Sequence, residues 1–260
     1  MPCCDIPLFA EICGRSPARD RGEPLPSCAV TPTIDTVTLA DDPAAWSALG
    51  FAVEDDHCRI GSVELRFAST DSDEPDSAGI VGWSLREIEA TDLDGLPTTL
   101  SQRPPEPAAP AHPNGVRAID HLVAISPDLD RSVAALRAAG LDLRRVREEP
   151  TPAGAPRQAF FRLGGEILEV IQAPREAIER AGGSERPLRF WGLALVVEDL
   201  DRTTERLAPR VGEVRPAVQP GRRIATLRRS AGLAVPLALM SAAQERGEEE
   251  RAGAAVGERA

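Results

Sequence analysis

The 260-residue chain predicts an α+β protein built of repeated βαβββ modules, on three observations. A β-branched, apolar run leads into a helix started by aspartates in "AIDHLVAISPDLD", residues 118–130. The same frame returns in "FWGLALVVEDLD", residues 190–201, and each copy is followed by a run of strand candidates. Agreement in element order, spacing and helix start argues for true repetition.

In the first copy "AIDHLVAIS" reads as a strand and "PDLDRSVAALRAAG" as a helix, with Gly140 just past its end. Asp128 or Asp130 can accept the free amides of the first turn and suits the positive end of the helix dipole. Val133 and Leu136, with Ala134 and Ala138, share one buried helical face. "LDLRRVREE", "RQAFFRLG" and "EILEVIQA" then read as strands, divided by "PTPAGAP" and Gly164-Gly165. In the second copy the strand "LRFWGLALVVE" and the helix "DLDRTTERLAPRVG" precede strands "EVRPAVQ", "RRIATLRRS" and "VPLALMSA". Aligning the aspartates puts Gly192 opposite His121, and aligning the last strands puts Ala238 opposite Glu169.

A fainter copy lies upstream: "TIDTVTLA" as strand, "DDPAAWSALG" as helix, then "FAVED", "HCRIG" and "SVELRFA" as strands. It sets Thr36 at the His121 position and Glu64 near the Glu169 position. "GIVGWSLREIEATDLDGLPTTL" reads as another strand and an Asp-started helix, the opening of a fourth module. The division expected is an N-terminal extension over 1–32 that is disordered or not native, and a diverged, incomplete module region over 33–101. A Pro-rich linker over 102–116, a paired βαβββ domain over 117–242 and a charged tail over 243–260 complete it.

Composition excludes several classes of function. A net charge of −11 opposes non-specific binding to nucleic acid or anionic membrane. No apolar run reaches the length of a membrane helix and no basic-apolar leader opens the chain, so the expected location is the cytoplasm. All thirty basic residues are Arg. Cys3, Cys4, Cys13, Cys28 and Cys58 match neither a disulfide framework nor a zinc-site spacing. There is no GxSxG elbow, phosphate-cradling glycine loop or Cys and His nucleophile pair, so acyl and phosphoryl transfer lack a candidate site.

"IDHLVAISPDLDRSVAAL", "GGEILEVIQAP" and "GLALVVEDLDRTTERL" together resemble the glyoxalase-like vicinal oxygen chelate superfamily, well over 117–242 and weakly over 33–101. The resemblance implies βαβββ modules paired into a curved, open barrel around a cleft. It also implies a divalent metal (Fe, Mn, Zn or Ni) held by a His on the first strand and a carboxylate on the last strand of each module. His121 and Glu169 match the first module's ligand positions; Gly192 and Ala238, at the second module's positions, cannot ligate. Half a ligand set favours a protein with no metal that binds a small organic molecule, unless His57, His112, Gln158, Gln172 or Gln219 supplies a third ligand. Alternatives are a metal-dependent lyase, isomerase or dioxygenase, and a catalytically silent assembly module. The expected partner is a small-molecule ligand, with neither nucleic acid nor membrane, and a homodimer is compatible with the sequence.

Further candidates each carry a plainer reading. Arg222 and Arg223, beside the Pro220-Gly221 turn, could fork onto a ligand carboxylate or phosphate, or simply form a solvated sheet rim. Trp191 and Phe160, with Phe161, could wall an apolar pocket or serve as sheet core. His121 could be a strand-start histidine satisfied by a backbone carbonyl or by Asp120.

Overall fold

The computed structural model describes residues 31–68, 78–150 and 154–242, in two β-sheets. The expectations for residues 1–30 and for the tail from 243 onward lie outside the described residues.

The smaller sheet holds β1 (Thr33–Ala40), β2 (His57–Ile60), β3 (Val63–Phe67), β4 (Gly79–Arg86) and β5 (Thr98–Leu100), in the order β2-β3-β1-β4-β5. Helix α1 (Pro43–Ala48) starts where the Asp42 side chain accepts from the Ala44 amide, with Pro43 in the first turn, where it costs no hydrogen bond. Trp46 on this helix is fully buried, its ring 4.7 Å from that of Phe51. Two expected elements are absent. "FAVED" forms no strand: Glu54 and His57 exchange backbone bonds of 2.9 and 3.0 Å around Asp55, whose φ of 53° belongs to a tight turn. "TDLDGLP" forms no helix, because Asp94 and Gly95 take φ of 54° and 89° and Pro97 lacks an amide donor. Asp94 instead reaches α2 (Leu129–Ala138) of the other half, where Arg131 Nε donates at 2.8 Å and Ser132 Oγ also donates to it.

The larger sheet runs β11-β12-β13-β10-β6-β9-β8-β7. Its first module is β6 (Val116–Ser126), α2, β7 (Asp142–Arg147), β8 (Gln158–Leu163) and β9 (Glu166–Gln172). A short helix α3 (Arg175–Arg180), not foreseen, leads to the second module. That module is β10 (Arg189–Val197), α4 (Leu200–Leu207), β11 (Arg215–Pro216), β12 (Arg223–Thr226) and β13 (Leu237–Ser241). In each module the first strand lies parallel to the last, β6 on β9 and β10 on β13, and the modules join by antiparallel β6 and β10. Within the smaller sheet β1 pairs in parallel with β3 and antiparallel with β4, the same relation. Asp128 and Asp199 cap α2 and α4, each accepting at 3.0 Å from the amide three residues on. The expected strand "EVRPAVQ" shrinks to the two residues of β11, an edge strand whose Pro216 has no amide to donate. Of the expected strand "RRIATLRRS", β12 keeps only Arg223–Thr226, and Arg229–Ala231 coil into a 3-10 turn.

Apolar residues of β6, β9 and β10, among them Leu122, Ala124, Leu168, Val170, Leu193 and Leu195, are buried with Leu136 of α2 and Leu200 of α4. Each such leucine or valine contributes roughly 1.5–3 kcal/mol relative to exposure. The Pro-rich segment is not a free spacer: Arg103 Nη2 donates to Glu64 at 3.2 Å, Arg59 Nη2 to the Pro107 carbonyl at 2.6 Å and the Ala109 amide to the Gly61 carbonyl at 2.9 Å. It straps the smaller sheet, and His112 within it accepts from the Ala52 amide at 3.0 Å. Between the halves, Glu166 of β9 is buried and accepts from Ser62 Oγ at 3.5 Å; burial pushes its carboxyl up to about 6. Among the described residues no helix is long and apolar enough to cross a membrane.

Candidate functional site

One cleft of about 1410 Å³ is lined from both edges of the eight-stranded sheet: Arg145 and Arg147 come from β7, and Arg215 and Pro216 from β11. A sheet whose opposite edges line one space must curl around it, as a half-open barrel does. Its walls are mostly apolar, with Val123, Ile171, Phe160, Leu193, Ala238 and Met240 among them. The polar part is His121 and Glu169, each half-buried, and the buried Gln158.

The backbone explains how these three meet. On β9, Glu169 lies beside Val123 of β6 and opposite Phe160 of β8, so its side chain shares the cleft face with both. Gln158 stands two residues before Phe160 on the same face, and its Nε2 donates to Glu169 Oε1. His121, two residues before Val123, brings Nε2 to 3.4 Å from Glu169 Oε2. Asp120 would face away in a regular strand, since successive side chains alternate. The β6–β10 register instead skips it, pairing Ala194 with His121 and Leu195 with Ile119. This bulge turns the Asp120 carboxylate back, and Oδ2 lies 2.7 Å from His121 Nδ1. Arg222 Nη1 closes the chain at 2.6 Å from Asp120 Oδ1, while the same guanidinium donates to the Ser241 carbonyl at 2.9 and 3.0 Å.

Electrostatics divide the two carboxylates. Burial pushes the Glu169 carboxyl upward, only partly offset by the His121 charge and the Gln158 hydrogen bond. Burial acts the same way on Asp120, but there the His121 hydrogen bond and the charges of His121 and Arg222 outweigh it and hold the group below the usual range. Asp120 is therefore an anion that accepts from His121 Nδ1–H, leaving Nε2 directed at Glu169. Gln158 Oε1 is buried with no hydrogen-bond partner, as is Gln172 Oε1, also in the cleft wall. An unmatched buried amide oxygen costs about 1–3 kcal/mol.

The remaining sequence candidates separate. Trp191 and Phe160 line the cleft; Phe161 is buried core. Trp191 is itself skipped by the register, which pairs Phe190 with Ala124 and Gly192 with Val123, and this second bulge leaves it 46% exposed. Arg222 acts behind His121 and Arg223 forks onto Asp201 at 2.8 and 2.9 Å; neither is part of the cleft wall. Gln219 lies in the wall, whereas His57 and His112 belong to the smaller half. Glu64 pairs with Thr36 as Ile167 does with His121, so Arg66, not Glu64, stands at the Glu169 position. Asp120 stands where one sequence reading put it, beside the His121 imidazole; what the sequence did not disclose is the bulge that brings it there, and Arg145, Arg189 and Arg215, which only the curl of the sheet brings to one cleft.

Two of the metal donors that the resemblance implies stand together. His121 Nε2 and Glu169 Oε2 are close enough to share an ion, and Asp120 would orient the imidazole as such sites require. Ala194 and Ala238 pair as Val123 and Glu169 do, which places Gly192 and Ala238 at the corresponding positions of the second module. A Cβ on Gly192 would lie 2.6 Å from the Pro236 carbonyl oxygen, so the backbone excludes any side chain there. Among the described residues no group of three or more His, Cys, Asp or Glu is placed to hold a metal ion.

Residues 118–234 match the family described as the Glyoxalase/Bleomycin resistance protein/Dioxygenase superfamily. Solved structures with the same fold include a xylose isomerase-like TIM barrel/4-hydroxyphenylpyruvate dioxygenase fusion protein, at 14% identity and a TM-score of 0.55. That match covers 89% of this chain and 52% of the other, so this chain spans about half that protein's length. Methylmalonyl-CoA epimerase from Mycobacterium tuberculosis aligns at 22% identity and a TM-score of 0.41, over 50% of this chain and 91% of its own. The Streptomyces coelicolor epimerase aligns at 23% and 0.41, over 50% and 99%. No curated protein sequence matches the chain.

Proposed function

Since residues 118–234 form a domain of the Glyoxalase/Bleomycin resistance protein/Dioxygenase superfamily, we propose that the protein binds a small organic molecule in the cleft between its two paired modules. The observation that carries this reading is the His121–Glu169–Gln158 group, converging in a cleft whose walls are mostly apolar, with Gln158 Oε1 unmatched. A few convergent polar groups in an apolar concavity are what orient a small ligand. A silent assembly module has no use for a buried acid and an unmatched amide, each of which costs stability.

The test is a thermal-shift screen of small organic molecules against the wild type, Glu169→Gln and Ala238→Phe. Ala238 lies in the cleft wall, half-buried, and phenylalanine is chosen there to take up cleft space. A ligand should raise the melting temperature of the wild type in proportion to the logarithm of its concentration and do so far less in Ala238→Phe. If every stabilising compound acts equally on both proteins, the cleft is not the binding place.

A second reading, metal-assisted lyase, isomerase or dioxygenase chemistry, draws support from the alignment of Asp120, His121 and Glu169. Equilibrium dialysis against Fe(II), Mn(II), Zn(II) and Ni(II) separates the two. Stoichiometric uptake lost in both His121→Ala and Glu169→Ala would favour the metal reading; uptake no greater than in those variants favours ligand binding without metal.

A further inference from the structure

Resting on that reading of the cleft, we propose that its ligand is an amphipathic organic anion, with an apolar body along Trp191 and an acidic group at an arginine lip. Two independent observations carry this.

The first is charge. The chain is strongly acidic, at −11, yet the exposed wall of the cleft carries Arg145, Arg189 and Arg215, whose side chains pair with no carboxylate among the described residues. Arg145 stands 5.2 Å over the Phe160 ring. The carboxylates of the same wall are engaged: Glu148 accepts from Arg157 Nε at 2.7 Å, Glu149 lies 3.6 Å from Arg147, and Glu169 is turned to the buried base. These three arginines come from the central strand β10 and from both edge strands, β7 and β11, so the curl of the sheet gathers them. Each is a guanidinium able to donate two parallel hydrogen bonds to an oxyanion.

The second is apolar exposure. Among the described residues the exposed large hydrophobic side chains are Leu100, Trp191 and Val218, and two of these, Trp191 at 46% and Val218 at 56%, line this one cleft. A bulge in β10 holds Trp191 outward, with its ring uncovered. An apolar surface beside unpaired cations fits a molecule that is greasy along its length and anionic at one end.

The experiment uses the full chain and two fluorescent probes that differ only in charge, 8-anilinonaphthalene-1-sulfonate and the uncharged N-phenyl-1-naphthylamine. The sulfonate should bind the wild type roughly tenfold more tightly than the neutral probe. Raising NaCl from about 0.02 M to about 0.5 M should narrow that preference. In the Arg145→Gln/Arg189→Gln/Arg215→Gln variant the preference should vanish while the neutral probe binds as before, and Trp191→Ala should weaken both probes. Equal binding of the two probes to the wild type, or a preference that survives in the triple variant, overturns the anionic assignment and leaves the cleft reading standing. If neither probe binds, or both bind Trp191→Ala and Ala238→Phe unchanged, the cleft reading falls and this inference with it.

Discussion

Asp120 is a half-buried acid and Glu166 a buried one, and their opposite surroundings make opposite predictions. Asp120 is stabilised as an anion by His121 and Arg222, so its folded pKa lies below its unfolded one and its contribution is present at neutral pH and lost as pH falls through the folded value. Asp120→Asn should therefore cost about 2–4 kcal/mol at pH 7, because it leaves the Arg222 charge uncompensated, and little in strong acid. Urea denaturation at the two pH values measures it. Glu166 has its carboxyl raised to about 6 by burial, so stability falls as pH climbs from the ordinary carboxylate value to about 6 and is flat above. Glu166→Gln, which resembles the protonated acid, should stabilise the protein by up to about 2 kcal/mol at pH 8 and change nothing at pH 4. A destabilised variant at pH 8 would mean the carboxylate is better satisfied than its burial suggests.

The strands and helices set these residues in place, and here the sequence was unevenly informative. The capped helices α2 and α4, and the strands before them, were legible because an Asp at the N-cap and a β-branched run are local signals. Loss of the Asp128 cap in Asp128→Ala should cost about 1 kcal/mol, read from the denaturation midpoint. The family resemblance also pointed to His121 and Glu169, which the structure brings to 3.4 Å. Asp120 was legible only as one of two partners for His121, since strict alternation points it away, and only the β6–β10 register reveals the bulge that turns it back. Arg222 was legible as a charged residue near a turn, but its partner lies across the sheet, and no short-range pattern joins it to Asp120. Helices foreseen from "TDLDGLP" and a strand from "FAVED" failed because turn chemistry at Asp94-Gly95 and Asp55 overrode the apolar pattern. Gly192 shows what an absence can mean: Gly192→Ala should cost about 1–3 kcal/mol by pushing β10 from Pro236, and Gly192→His should gain no zinc affinity in equilibrium dialysis.

At the scale of the molecule, the two sheets are tied by interactions that neither holds alone. Asp94 binds Arg131 and Ser132, Asp41 accepts from the amides of Ala234 and Val235, and Trp83 packs 5.1 Å from Phe190. The chain should accordingly unfold in one transition, with calorimetric and van't Hoff enthalpies that agree. Residues 117–242 expressed alone should melt at a lower temperature, with Phe190 newly exposed. The size of the cleft has a further consequence, in heat rather than in contacts. A space of about 1410 Å³ with mostly apolar walls holds on the order of tens of water molecules, many of them short of hydrogen-bond partners. An occupant that displaces them should bind with a pronounced negative heat-capacity change, so that its binding enthalpy grows more favourable on warming while its affinity changes little. Titration calorimetry at several temperatures would then distinguish an occupant of the cleft from one held only at the surface.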